Sequence, residues 1–201
     1  MVKFEKYGNF ESVGTQKEKK QIILCHTSRE VQEYLASLQF RYNSRYDKIP
    51  NYVVTRDGKV LQLLDDTSYS NFFSDSQINK NSVIICLENL GWLEKKPLTN
   101  YYINWKGSIY NQQVYEKKWR DFYFWQPYTP QQIKMTAELC KHLTETLQIE
   151  KTCVGHNTKV DGIENFEGIC SRSNYDSSYT DLNPSFNFET FIKFLENEQF
   201  A

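Results

Sequence analysis

Residues 22–31 read Ile22-Ile23-Leu24-Cys25-His26-Thr27-Ser28-Arg29-Glu30-Val31, and this stretch sets the fold class. Its apolar opening is the signature of a short buried strand. Thr27 and Glu30 stand at the spacing of a capping box, the arrangement that satisfies the first free amides of a helix. Val31, Tyr34, Leu35 and Leu38 then recur at helical intervals. A strand running directly into a helix suggests a central sheet with helices packed around it. It also leaves His26 at a strand end, where such folds usually form their ligand cleft.

The same alternation continues along the chain. Asn51 to Leu64 (NYVVTRDGKVLQLL) reads as a hairpin, with Asp57-Gly58 as its tight turn. Ser82 to Glu88 (SVIICLE) is a second buried strand. Thr129-Pro130-Gln131-Gln132 starts a helix, threonine as N-cap and proline at the first helical position. Ile133, Ala137, Cys140, Thr144 and Leu147 give that helix one buried stripe. Thr152 to His156 (TCVGH) reads as a strand ending in a histidine, and Phe186 to Leu195 as a closing helix. Residues 157–180 read as a long loop rich in Gly, Ser and Asn, of the length that usually serves function or is disordered. Residues 1–20 read as a polar, irregular arm before one domain spanning 21–201. Within that domain, residues 91–128 form an aromatic-rich insertion that holds all four tryptophans, Trp92, Trp105, Trp119 and Trp125.

Composition narrows the function. The chain has 201 residues, 39% hydrophobic and 15% aromatic, which suffices for one core. A formal net charge of -1 argues against nucleic acid and anionic membrane surfaces, since both demand a basic field. The cysteines, five in all, include no CxxC pair, so neither a disulfide framework nor a four-cysteine zinc site is expected. No apolar run reaches the ~18 residues of a membrane helix. The N-terminal residues lack the apolar centre of a signal peptide.

Of the three histidines, His142 falls on the polar side of its helix and reads as a surface residue. His26 and His156 both end apolar strands. Each has an ordinary structural reading, and so does Asp181, as a turn or N-cap residue before the last helix. Taken together they make a set of two imidazoles and one carboxylate, which leaves an open position on a tetrahedral zinc ion, as hydrolytic zinc requires.

The pieces IILCHTS, NYVVTRDGKVLQL, NSVIICLEN, YTPQQ, VGHN and TDLNPSF occur in the order found in the type 2 N-acetylmuramoyl-L-alanine amidases, the family that also contains the peptidoglycan recognition proteins. The chain resembles this family over most of residues 22–195, most specifically through VGHN and TDLNP. The resemblance implies an α/β domain with a mixed five- to six-stranded sheet, flanked by helices, and one zinc ion (Zn2+) in a surface groove. It implies hydrolysis of the amide between N-acetylmuramic acid and L-alanine in peptidoglycan, by a phage endolysin or virion-associated lysin acting on the bacterial cell wall. The partner would be peptidoglycan or a muropeptide, the protein a monomer.

Carried over by position, the zinc ligands are His26, His156 and Asp181, with Cys25 the alternative to His26. Three supporting positions depart from the family pattern. Pro50 stands at a tyrosine position and Cys86 at a glutamate position, which leaves Glu88, two residues on and on the same face, as candidate general base. Tyr179 stands where a lysine commonly stabilises the oxyanion. Asn157 and Arg172 are candidate substrate contacts, Arg172 because a guanidinium pairs well with a carboxylate. A catalytically degenerate peptidoglycan-binding or virion structural module of the same fold is the alternative that these departures support. A zinc amide hydrolase acting on a small cytoplasmic substrate is a third.

Overall fold

The computed structural model of the chain describes residues 3–196. The polar N-terminal stretch is more ordered than its composition suggests and contributes two short strands, β1 (Glu5–Lys6) and β2 (Gly14–Thr15). The apolar run forms β3 (Gln21–His26), buried along its whole length, and leads into helix α1 (Val31–Phe40). The expected capping box does not form. Thr27 Oγ1 donates to the Arg29 carbonyl at 2.6 Å, and Glu30 makes no side-chain cap bond. The amide of Val31 is satisfied from across the sheet, by the Glu88 carboxylate at 2.8 Å.

The predicted hairpin is β4 (Tyr52–Val54) and β5 (Val60–Gln62). Gly58 turns it at φ 84°, a left-handed value that costs a residue without Cβ little. Strand β6 (Ser68–Tyr69), helix α2 (Ser76–Asn81) and strand β7 (Ser82–Leu87) follow. The aromatic stretch folds into β8 (Trp92–Lys95), β9 (Tyr102–Asn104), β10 (Ile109–Tyr110), β11 (Tyr115–Trp119) and β12 (Phe122–Trp125). Helix α3 (Pro130–Leu147) starts as its sequence predicts, with Thr129 Oγ1 accepting the Gln132 amide at 3.0 Å. Two expectations fail beyond it. The strand expected at 152–156 is only a bridge between Cys153 and Ile169. The expected loop 157–180 contains a 3-10 turn (Ile163–Asn165), strand β13 (Gly168–Ser171) and helix α4 (Arg172–Tyr175). Helix α5 (Phe188–Glu196) closes the described chain.

The main sheet has six strands in the order β1-β5-β4-β7-β3-β13. Strands β4, β7, β3 and β13 are mutually parallel, and β5 runs antiparallel to β4, so the sheet is mixed as the resemblance implies. Parallel strands need cover on both faces, which explains why β3 and β7 are apolar without alternation. Ile22, Leu24, Ile85 and Leu87 pack with Ala137 and Leu143 of α3 and Phe191 of α5. Ile23, Cys25, Ile84 and Cys86 pack on the other face with Leu35 and Leu38 of α1. Full burial of a side chain such as Ile85 contributes about 1.5–3 kcal/mol.

The insertion is an antiparallel sheet of five strands, in the order β10-β9-β8-β12-β11. Its core is small: Leu90, Leu93 and Tyr110, with the Trp92 and Phe122 rings stacked at 4.6 Å on the same sheet. It is held to the domain by polar bonds. Asn89 Nδ2 donates to the Gln126 carbonyl at 3.0 Å, the Leu90 amide to Gln126 Oε1 at 2.7 Å, and Trp105 Nε1 to the Ser28 carbonyl at 2.6 Å.

Candidate functional site

The C-terminal ends of β3, β7 and β13 meet the turn before α5, and this junction holds most of the predicted site. Asp181 is completely buried there. Its Oδ2 accepts the backbone amide of His26 at 3.3 Å. Its two oxygens take the Nε–H of Arg172 at 2.9 and 3.2 Å. The Arg172 guanidinium lies 4.4 Å from the centre of the Tyr179 ring and 5.8 Å from that of Phe72. Burial weighs against the Arg172 cation, but the Asp181 carboxylate holds its pKa above the usual arginine value. Removing one member of such a pair strands a buried charge, at a typical cost of about 3–5 kcal/mol.

His26 is nearly buried, its ring seated on Gly91. Burial pushes its pKa down to about 4, and Asp181 only partly offsets this, so the ring is neutral at pH 7. Its Nε2 is 3.5 Å from Ser28 Oγ, while its Nδ1 is buried without a partner. An orphaned nitrogen on a buried neutral imidazole is rare in a finished structure and marks a place for a ligand. Cys25, the alternative, points into the α1-side core beside Cys86, and burial holds its thiol protonated.

His156 joins the junction by its backbone only. Asn174 Nδ2 donates to the His156 carbonyl at 3.0 Å, and Asn157 Nδ2 to the Leu182 carbonyl at 2.7 Å, which ties the VGHN loop to the Asp181 turn. The His156 ring is exposed, and its Nδ1 lies 2.9 Å from Thr158 Oγ1. Among the described residues no three His, Cys, Asp or Glu side chains stand close enough together to hold a metal ion. Glu88 shares the face of Cys86, as alternation predicts, but its carboxylate is spent on the amides of Val31 and Arg56, at 2.8 and 2.9 Å. It anchors the start of α1 and does not face the His26 cleft. Asn157 braces the loop. Arg172 meets Asp181, a carboxylate of its own chain. His142 is half-buried against Phe4, at a ring distance of 6.3 Å.

A cleft of about 360 Å³ opens above His26. Four cations line it, Arg29, Arg41, Lys48 and Arg172, and its lining has no acidic side chain. Tyr179 forms part of one wall and Trp105, carried in from the insertion, part of another. Arg29 lies 5.1 Å from the Trp105 ring centre and Arg41 5.0 Å from that of Tyr46, so these two guanidiniums, like that of Arg172, lie over aromatic rings. Arg29, Arg41 and Lys48 were missed by sequence reading, since each is an ordinary surface type and only the fold gathers them; Trp105 comes from the aromatic insertion, which reads in the sequence as packed on the domain surface and lining a groove. A wider depression of about 900 Å³ between Phe4, Val60 and Met135 contains no histidine and none of the junction residues.

The family model of the N-acetylmuramoyl-L-alanine amidases matches residues 15–167, well over half of the chain. The chain belongs to the N-acetylmuramoyl-L-alanine amidase family. It is therefore of the hydrolase class that cuts a non-peptide C–N amide bond, and is a peptidoglycan amidase. No curated protein matches the sequence. Solved structures of the family share the fold at low identity. The amidase LysC of Clostridium intestinale URNW superposes with a TM-score of 0.56 at 13% identity, over 99% of this chain and 100% of that one. The hydrolase AmiA of Staphylococcus aureus, solved with its ligand, gives 0.57 at 7% identity, over 97% and 81% of the two chains. An endolysin amidase of Clostridium intestinale URNW, LysCS, gives 0.53 at 14%, over 99% and 98%.

Proposed function

We propose that the chain is a zinc-dependent lysin of phage type that hydrolyses the bond between N-acetylmuramic acid and L-alanine in the bacterial cell wall. The observation that carries the reading is the buried, neutral His26 ring with an uncommitted Nδ1, placed beside Asp181 at the foot of a cationic cleft. The donor chemistry fits zinc: His26 and Asp181 would hold it together with His156, whose carbonyl is held by Asn174 and whose neighbour Asn157 is bonded to the turn that carries Asp181. Bound zinc would polarise the scissile carbonyl and lower the pKa of a water molecule. The endolysin fold of LysCS supports the lysin setting.

The chain's own residues supply binding and orientation. Arg29, Arg41 and Lys48 attract the carboxylates of a peptide stem, and the two ring-held guanidiniums do so with little loss of side-chain freedom. Trp105 and Tyr179 offer flat faces for the sugar or peptide backbone, and the Tyr179 hydroxyl is the remaining candidate donor to an oxyanion. His26, neutral because it is buried, keeps a lone pair free at pH 7. Glu88 holds no proton-transfer role, since both of its oxygens are engaged.

The test is release of muramoyl-linked L-alanine amino groups from purified sacculi, by wild type and by His26→Ala, with and without a zinc chelator. Wild type is expected to release them, and both the substitution and the chelator to stop it. Wild type that sediments with sacculi yet releases nothing would overturn hydrolysis. It would favour the binding-module reading, which the engagement of Asp181 by Arg172 supports.

A further inference from the structure

Asp181 is the one carboxylate in the proposed metal set, and it is already in use. Arg172 Nε–H reaches both of its oxygens, at 2.9 and 3.2 Å, and the His26 amide takes a further lone pair at 3.3 Å. Asp181 is wholly buried, so no solvent can take over either role. A cation brought to Asp181 would face a guanidinium at hydrogen-bonding distance from the same oxygens, and like charges that close repel strongly away from water. Arg172 also has a way out. About a fifth of its side chain is exposed (21%), it lines the cleft, and Tyr179 holds it by its ring face without a directional bond.

We propose that Arg172 is a built-in competitor for the metal: its guanidinium holds the Asp181 carboxylate in the metal-free protein and must swing into the cleft before a divalent cation is bound. The inference rests on His26, His156 and Asp181 as ligands. The chain then binds zinc more weakly than the same ligands would without Arg172. It also means that metal uptake releases a guanidinium into the cleft where the substrate's carboxylates are expected. Anionic ligand and metal therefore favour one another, and reciprocally.

The experiment measures zinc affinity by competition with a chromophoric chelator at neutral pH, on full-length wild type, Arg172→Gln, Tyr179→Leu and Asp181→Asn. Glutamine keeps one donor for Asp181 without the charge. Arg172→Gln is expected to bind zinc about 10- to 100-fold more tightly than wild type: the size is that by which a ligand's partner moves metal affinity, and the sign is a gain because the partner lost here is itself a cation. Tyr179→Leu, which removes only the ring that steadies the guanidinium, should shift affinity the same way by less, and guards against a poorly folded Arg172 variant. Asp181→Asn should lose binding. Equal affinity in wild type, Arg172→Gln and Tyr179→Leu would overturn the competition and leave the zinc reading standing. No zinc binding in any of the proteins, each folded by circular dichroism, would overturn both.

Discussion

At the residue scale, the clearest constraint is steric. Gly91 lies under the His26 ring at φ 79°, and a Cβ there would stand 2.6 Å from His26 Cε1. Gly91→Ala therefore meets both a left-handed backbone and an overpacked ring, and we expect a loss of about 1–3 kcal/mol in denaturant unfolding. Asn51 is a second such point. Its Oδ1 accepts the Ile84 amide at 2.9 Å, and its Nδ2 donates to the carbonyls of Asp65 and Ser68 at 2.9 and 3.0 Å. Asn51→Leu strands these buried groups, at about 1–3 kcal/mol each, and is expected to leave little folded protein. Lys19 gives a pH signature. It is buried, with Nζ 2.9 Å from the Lys80 carbonyl and 3.2 Å from that of Ser82, and burial lowers its pKa from 10.5 to about 8. Between those values the unfolded chain binds more protons than the folded one, so this group adds stability as pH rises from 8 to 10.5 and nothing further below 8. The stability of wild type minus that of Lys19→Met is expected to climb across that window by about 3 kcal/mol, and a flat difference would refute the burial argument.

At the scale of elements, sequence legibility followed local signals. Strands β3 and β7, the β4–β5 hairpin and α3 could be read because apolar runs, Asp57-Gly58 and Thr129-Pro130 each act within a few residues. Strand β13 could not. Gly-Ile-Cys-Ser is too short to show a period, and Gly168 is there because Thr152 approaches it too closely for any Cβ. Its identity as a strand comes from pairing with Gln21–Leu24, about seven-tenths of the chain away. The start of α1 departs from its local signal for the same reason: the Thr27 amide that Glu30 was expected to serve goes to the Leu87 carbonyl at 2.9 Å, and the first helical amide, Val31, to Glu88. Of the site, alternation placed Glu88 on the correct face but could not say what it would meet. The pairing of Arg172 with Asp181 had no sequence signal, because irregular chain separates the two. Thr129 tests a local signal directly. Its Oγ1 caps α3 and also donates to the Arg56 carbonyl at 2.6 Å, so Thr129→Ala should cost about 1–2 kcal/mol, the upper part of the N-cap range.

At the scale of the whole molecule, the insertion meets the cleft through one indole. Trp105 spans to the Ser28 carbonyl and stacks on Arg29, and the neighbouring Lys106 pairs with Glu33 of α1. The insertion's own core rests on Leu90, Leu93 and Tyr110, so it does not depend on that contact to fold. Trp105→Ala is therefore expected to change global stability by less than about 1 kcal/mol, as for a surface contact. It should weaken the retention of muropeptide in equilibrium dialysis several-fold. Unchanged retention would place the substrate elsewhere.

The edge strand β13 lies beside β3, so a late segment of the chain closes on an early one. Arg172 and Asp181 follow that closure, and Asp181 meets His26 from 155 residues further along the chain. A nascent chain thus carries His26 early but cannot complete the junction until Asp181 has been made. Contacts this distant in sequence form slowly, so a chain that stops short of Asp181 lacks the junction. For a peptidoglycan amidase, that timing delays its chemistry until Asp181 has joined the fold.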